Sequence, residues 1–238
     1  MSTLGKPFVL FDLDDTILDF HQAEAVALTK TLRELGLEPR EEILRRYSEI
    51  NRRQWELLEE GRQTRFETLT RRFEILFAKY EIAVSGVEAC DRYEGHLGEG
   101  HWFMPGAEEL LETLYGRYAL YLISNGAAGV QASRLQSAGI ARYFEGIYIS
   151  ETLGAEKPSR AFVERSLELV PGFERSRALI VGDSLTSDIR LGLNTGIKTC
   201  WYNPRRLPPR ADIPADYEIH ALTGLPPLLE TLYDARTP

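Results

Sequence analysis

The stretch FVLFDLDDTI, residues 8–17, sets four apolar side chains directly ahead of three aspartates, Asp12, Asp14 and Asp15. An unbroken apolar run of this length, with no polar alternation, predicts a strand buried on both faces, and such strands belong to parallel sheets covered by helices. The acids then stand at the carboxyl end of the strand, where open α/β sheets gather their ligands. The pattern recurs in YALYLIS (118–124), GIYIS (146–150), ALIVG (178–182) and TCWY (199–202). Helical patterns begin between these runs at Ala107, Val130, Ser159 and Ser187, so strand and helix alternate. Right-handed crossovers make this an α/β fold, a doubly wound parallel sheet with a Rossmann-like core.

Residues 19–99 interrupt the alternation. Amphipathic patterns in AEAVALTKTLRELG, EEILRRYSEINRRQWELLEEG and FETLTRRFEILFAKY, without a strand among them, predict an inserted all-helical cap domain. The chain rejoins the core through GEGHWFMPGA (98–107), leaving residues 1–18 and 100–238 as the core. The Pro-rich stretch NPRRLPPRADIPADY (203–217) reads as a loop.

The 238 residues, 43% hydrophobic and 27% charged, are enough for one large domain or a domain with an insertion. No apolar run approaches the roughly 20 residues that span a bilayer. The opening MSTLGKPFVLFDLDD lacks the apolar core of a secretory signal, so a cytoplasmic location is expected. A net charge of -8 argues against a nucleic-acid polymer or an anionic membrane as partner. Cys90 and Cys200, far apart, suggest neither a disulfide nor a zinc site.

Asp12 and Asp14, two apart at a strand end, point the same way in extended geometry and repel unless a cation lies between them. The plain alternative is that Asp14, Asp15 and Thr16 make a turn. Three other strand ends carry polar groups. Ser124-Asn125-Gly126 enters a helix whose N-terminus suits phosphate oxygens, and Lys157 precedes Pro158 at a predicted first helical position. GDSLTSD supplies Asp183 and Asp188, which as a plain alternative cap the next helix.

Taken in order, FDLDDT, SN, KP and GDSLTSD resemble the haloacid dehalogenase superfamily of phosphoryl-transfer hydrolases, and the insertion after the first motif resembles its helical-cap subclass. The resemblance implies Asp12 as the nucleophile and Asp14 as general acid and base. It implies Ser124, Asn125 and Lys157 as phosphate-binding residues. Mg²⁺ would be held by Asp12, Asp183 and the backbone carbonyl of Asp14, with Asp188 and Thr16 behind these groups. A dehalogenase would not need the acid at Asp14, a receiver-type domain would not need the cap, and a nonenzymatic sensor would not need every chemical position filled.

The cap segment NRRQWELLEEGRQTRFETLTRRFEILF and TCWYNP resemble the cytosolic 5′-nucleotidases that act on pyrimidine nucleoside monophosphates. That implies a nucleoside monophosphate as substrate, with sugar phosphates or phosphoglycolate as the alternative. The turn Gly61-Arg62-Gln63-Thr64, with Trp55, offers donors, acceptors and a stacking surface for a nucleoside leaving group. Against this, turns are polar for backbone reasons, and Trp55, Phe66, Phe73 and Phe77 have the spacing of packing aromatics.

Overall fold

The structure, a computed structural model, describes residues 5–234. Six strands form one sheet in the order β3-β2-β1-β4-β5-β6. They are β1 (Phe8–Phe11), β2 (Ala119–Ser124), β3 (Gly146–Ile149), β4 (Ala178–Gly182), β5 (Lys198–Tyr202) and β6 (Tyr217–Ile219). Every pairing is parallel. All residues of β1, β2 and β4 are buried, as their unbroken apolar runs require. From β1 the chain winds outward through β2 to β3, then crosses back to begin the other half at β4. The sheet therefore reverses direction between β1 and β4, and that is its switch point. Register aligns Phe11 with both Leu122 and Val181, so the ends of β1, β2 and β4 lie level.

Two compact units emerge. Among the described residues, one comprises 5–19, 103–128 and 138–234, and the other 20–102 with 129–137. The sheet belongs to the first, with helices α5 (Ala107–Leu114), α7 (Ser150–Leu153), α8 (Arg160–Glu164), α9 (Arg190–Thr195) and α10 (Leu225–Leu229). The second is helical: α1 (Phe20–Glu34), α2 (Glu41–Glu59), α3 (Arg65–Tyr80), α4 (Gly86–Leu97) and most of α6 (Ala128–Ala138). No helix among the described residues is long and apolar enough to cross a membrane.

The structure departs from the sequence reading in several places. Strand β6 has three residues with exposed Glu218 at its centre, too short and too polar to stand out beside the loop before it. Helix α4 begins at a glycine and carries few large apolar residues, so its period is weak; Ser85 caps it by accepting from the Glu88 N–H. The pattern from Ser159 gives only the short α8, capped by Ser159 itself, so Pro158 precedes the helix. The pattern from Ser187 begins as a π-turn, Leu185–Ile189, that runs into α9.

The helical unit buries polar groups as well as aromatics. Tyr47, Phe73 and Tyr93 pack with ring centroids 5.0–5.5 Å apart. Beside them Asn51 bridges two buried charges: its Nδ2 donates to Glu24 at 2.7 Å, and its Oδ1 accepts from Arg72 at 3.0 Å. Burial raises the Glu24 carboxyl above its usual range, against the opposing pull of Ser48, Asn51, His21 and Arg72. A raised folded-state pKa means that folding favours the protonated acid. Stability is then fullest below the unfolded value of 4.5 and declines as pH rises through the folded value. Glu24→Gln removes this titration while keeping an acceptor for Asn51. The variant is expected to gain stability over the wild type between pH 5 and pH 8, read as a growing difference in urea midpoints. An equal difference at both pH values would contradict it.

Candidate active site

The chain leaves β1 at Phe11 and holds Asp12 with one more ladder bond, its N–H donating to the Val181 carbonyl at 2.9 Å. It then turns sharply. The Leu13 carbonyl accepts from Ile17 and Leu18 at 2.9 Å, and Asp15 adopts a left-handed φ of 57°. This turn ends the extended geometry in which Asp12 and Asp14 would point together. The Asp12 carboxylate instead meets those of Asp183 and Asp188, one oxygen from each lying within 4.8 Å of the others. Asp14 remains in the adjacent turn, near enough to affect Asp12 electrostatically. Thr16 Oγ1 donates to Asp12 Oδ2 at 3.4 Å.

Lys157 joins these strand ends. Its Nζ donates to Asp12 Oδ1 at 2.7 Å, to Asp188 Oδ1 at 2.7 Å and to the Ile123 carbonyl at 3.0 Å. Its exposure is 1%. Burial works against the ammonium, but Asp12 and Asp188 more than offset it and hold Lys157 protonated well above its ordinary range. For Asp12, burial comes first and the neighbouring Asp188 and Asp14 add to it, pushing the carboxyl up to about 8 against the pull of Lys157. Burial, Asp15, Asp12 and Asp188 likewise hold Asp183 well above the carboxylate range, opposed by Arg205. One ammonium among this many acids leaves a deficit of positive charge. An all-oxygen donor set of converging carboxylates is what a hard divalent cation requires. These residues fit Mg²⁺.

The second strand end is built differently from the sequence reading. Ser124 is buried and its Oγ accepts from the Gly126 N–H at 3.0 Å. Asn125 spends both ends of its amide on the main chain of Lys157, with Nδ2 donating to the Lys157 carbonyl at 2.9 Å and Oδ1 accepting from its N–H at 2.8 Å. Asn125 therefore clamps the main chain of the lysine in place, a role that its sequence position does not reveal. At the N-terminus of α6 the Ala128 N–H donates to the Glu151 carboxylate at 2.6 Å.

In the helical unit, two of the residues suggested as leaving-group readers hold the α2–α3 turn together. Thr64 and Glu67 form a reciprocal capping box at the start of α3. Gln63 Nε2 donates to the Gln54 carbonyl at 2.6 Å and to Thr68 Oγ1 at 2.7 Å. Arg62 pairs with Glu60 at 3.1 Å on the surface. Trp55 is half-buried with the Arg65 guanidinium 5.7 Å from its ring centre. Of the four aromatics read as packing residues, Phe73 and Phe77 are buried and Phe66 is exposed.

Gly182 opens the GDSLTSD motif, but the sequence gives it no role, because what constrains it is a side chain six residues on. Asp188 folds back over the end of β4, and a Cβ on Gly182 would lie 2.2 Å from Asp188 Oδ2 and 2.3 Å from its Cγ. Only a glycine lets that carboxylate reach Lys157. Gly182→Ala is expected to displace Asp188, cost about 1–3 kcal/mol by overpacking and lower turnover at least tenfold. Thermal unfolding and steady-state kinetics on the same preparation check this, and wild-type values in both would contradict the geometry.

Residues 9–202 match the family model described as haloacid dehalogenase-like hydrolase. Over 92% of its length the chain is 37% identical to 92% of the pyrimidine 5′-nucleotidase PynA of Streptococcus pneumoniae. It is 32% identical, over 80% of its length and 82% of the relative's, to the phosphoglycolate phosphatase of Aquifex aeolicus. The crystal structure of YfnB from Bacillus subtilis bound to magnesium superposes with a TM-score of 0.90 at 36% identity, covering 94% of this chain and 98% of that one.

Proposed function

The chain belongs to the haloacid dehalogenase-like hydrolase family, and from its acid cluster we propose that it is a Mg²⁺-dependent phosphomonoesterase that works through an aspartyl-phosphate on Asp12. The observation that carries the reading is the meeting of the Asp12, Asp183 and Asp188 carboxylates, two of which, Asp12 and Asp188, accept from the Lys157 ammonium, at the switch point of the sheet. Magnesium held by Asp12, Asp183 and the Asp14 carbonyl would neutralise charge on the acids and on the phosphoryl group. Lys157, turning one of its three N–H donors from its present acceptors, and the Ser124 hydroxyl hold phosphoryl oxygens. An Asp12 carboxylate oxygen attacks phosphorus, forming the Oδ–P bond as the P–O bond to the leaving group breaks. Asp14, outside the three-carboxylate cluster, is left to carry a proton. It delivers it to the departing alkoxide, then takes one from the water that attacks phosphorus and frees Asp12. Asn125 acts through Lys157, fixing its backbone and so the reach of its ammonium.

The substrate we infer is a nucleoside 5′-monophosphate, in keeping with the likeness to PynA over nearly the whole of both chains. Phosphoglycolate is the second reading, supported by the Aquifex relative. Neither rests on Gln63 Nε2 or Thr64, whose recorded bonds hold the α2–α3 turn. Phosphate release from a panel of pyrimidine and purine nucleoside monophosphates and phosphoglycolate, with Mg²⁺ and after EDTA, tests both levels. Metal-dependent turnover with the highest kcat/KM on a pyrimidine nucleotide is expected, and no turnover on any ester would sink the phosphatase reading.

The two aspartates separate by leaving group. Asp12→Asn is expected to lower kcat by roughly 10³-fold or more on every ester. Asp14→Asn is expected to lose far less on p-nitrophenyl phosphate, whose leaving group needs little protonation, than on a nucleotide. Equal deficits for Asp14→Asn on the two esters would remove its assigned role.

A further inference from the structure

We propose that Trp201 is a positioning residue for the metal site: its indole N–H fixes the main chain at Asp183 and thereby the aim of the Asp183 carboxylate. The inference rests on the reading of Asp183 as a Mg²⁺ ligand. Trp201 lies in β5, paired in register with Gly182 at the end of β4. Its Nε1 donates to the Asp183 carbonyl at 2.8 Å. The indole is 3% exposed and packs in a small cluster with Ile189 and Ile213, against Leu185 and Ala215. An indole N–H donates and cannot accept, so when buried it needs one well-placed acceptor, and here that acceptor is the carbonyl of a proposed ligand residue.

The three carboxylates of the cluster are held in three ways. Asp12 is fixed by the ladder bond from its N–H to Val181 and by the Lys157 ammonium on its carboxylate. Asp188 accepts from Lys157 and from the Ser184 N–H at 3.2 Å. For Asp183 the structure records the hold at its backbone carbonyl, through Trp201. Downstream, the loop is tied to itself: the Ser184 carbonyl accepts from Asp188 and Ile189 at 3.0 and 3.2 Å, and Ser184 Oγ accepts from the Ser187 N–H at 3.2 Å. The peptide after Asp183 is therefore set from outside the loop by the indole and from within it by Ser184. Fixing that peptide plane fixes ψ at Asp183, and with it the direction of the Cα–Cβ bond that carries the carboxylate. Phenylalanine would fill much of the same space in the Ile189–Ile213 cluster, so packing alone does not account for a donor at this position.

The test is calorimetric titration of the full chain with Mg²⁺, which needs no substrate. Trp201→Phe removes the donor and keeps an aromatic ring. As a second variant, benzothienylalanine placed at 201 replaces the N–H by sulfur in a ring of nearly the same shape, so that a folding defect in the first does not decide the matter. Both are expected to weaken Mg²⁺ binding about tenfold, the lower end of what loss of a partner behind a ligand costs. Their melting temperatures in EDTA should stay close to wild type, and turnover should recover at saturating Mg²⁺, so that the metal requirement shifts more than kcat. Wild-type Mg²⁺ affinity in the benzothienylalanine variant overturns the proposal, whatever Trp201→Phe does. Asp183→Asn, run alongside, separates the two levels. If it binds Mg²⁺ like the wild type, the metal reading of the site fails and takes the proposal with it. If it loses binding while both Trp201 variants keep theirs, the proposal alone fails.

Discussion

Everything at the carboxyl end of the sheet is organised by the Lys157 ammonium, held by a carboxylate after β1, a carboxylate after β4 and the Ile123 carbonyl in β2. Taking three charges out of water is costly, and the attraction among them roughly returns that cost only when the geometry is good. Such a cluster is a poor source of stability. Its consequence is positional: three adjacent strand ends are tied at one nitrogen, and the lysine that does so is itself clamped by the Asn125 amide. Gly182 follows from the same constraint, since Asp188 reaches the nitrogen only by crossing the backbone of β4 where no Cβ stands.

Five of the six strands and the placement of the acids at their ends are legible in the sequence, because a short unbroken apolar run in a chain of this composition fits little but a strand buried on both faces. The sixth strand is not. Tyr217–Ile219 is an edge of three residues whose pairing with β5 is decided by the sheet beside it and not by its own pattern. Within the site, residue type predicts chemistry better than residue direction. Asp12, Lys157 and Asp183 stand out in the motifs, whereas the pairing of Asp12 with Asp188 in preference to Asp14 depends on a turn at Asp15 that spacing alone does not reveal. Asn125 illustrates the same limit. A polar residue at a helix entrance suits phosphate in sequence, and its two bonds to the main chain of Lys157, 32 residues away, are not legible there. Gln63 and Thr64 read equally well as ligands or as turn residues until the partners of their side chains are known.

Each unit buries a carboxyl group whose pKa burial raises against a nearby cation, but only Asp12 has other acids beside it, and that difference bears on what the site requires. Glu24 meets its cation, Arg72, through the neutral amide of Asn51, and burial raises its pKa. Folding therefore favours a proton on Glu24. Asp12 lies directly against an ammonium at 2.7 Å and is still pushed upward, by burial first and then by the nearby charges of Asp188 and Asp14. A proton would answer this deficit too, but a protonated carboxyl is a poor nucleophile, and a phosphoryl group brings further negative charge to the same place. The arrangement thus calls for a cation that adds positive charge without occupying the attacking oxygen's lone pair as a proton would. A divalent metal among the carboxylates satisfies that condition, and under the proposed mechanism Asp14 then handles the protons.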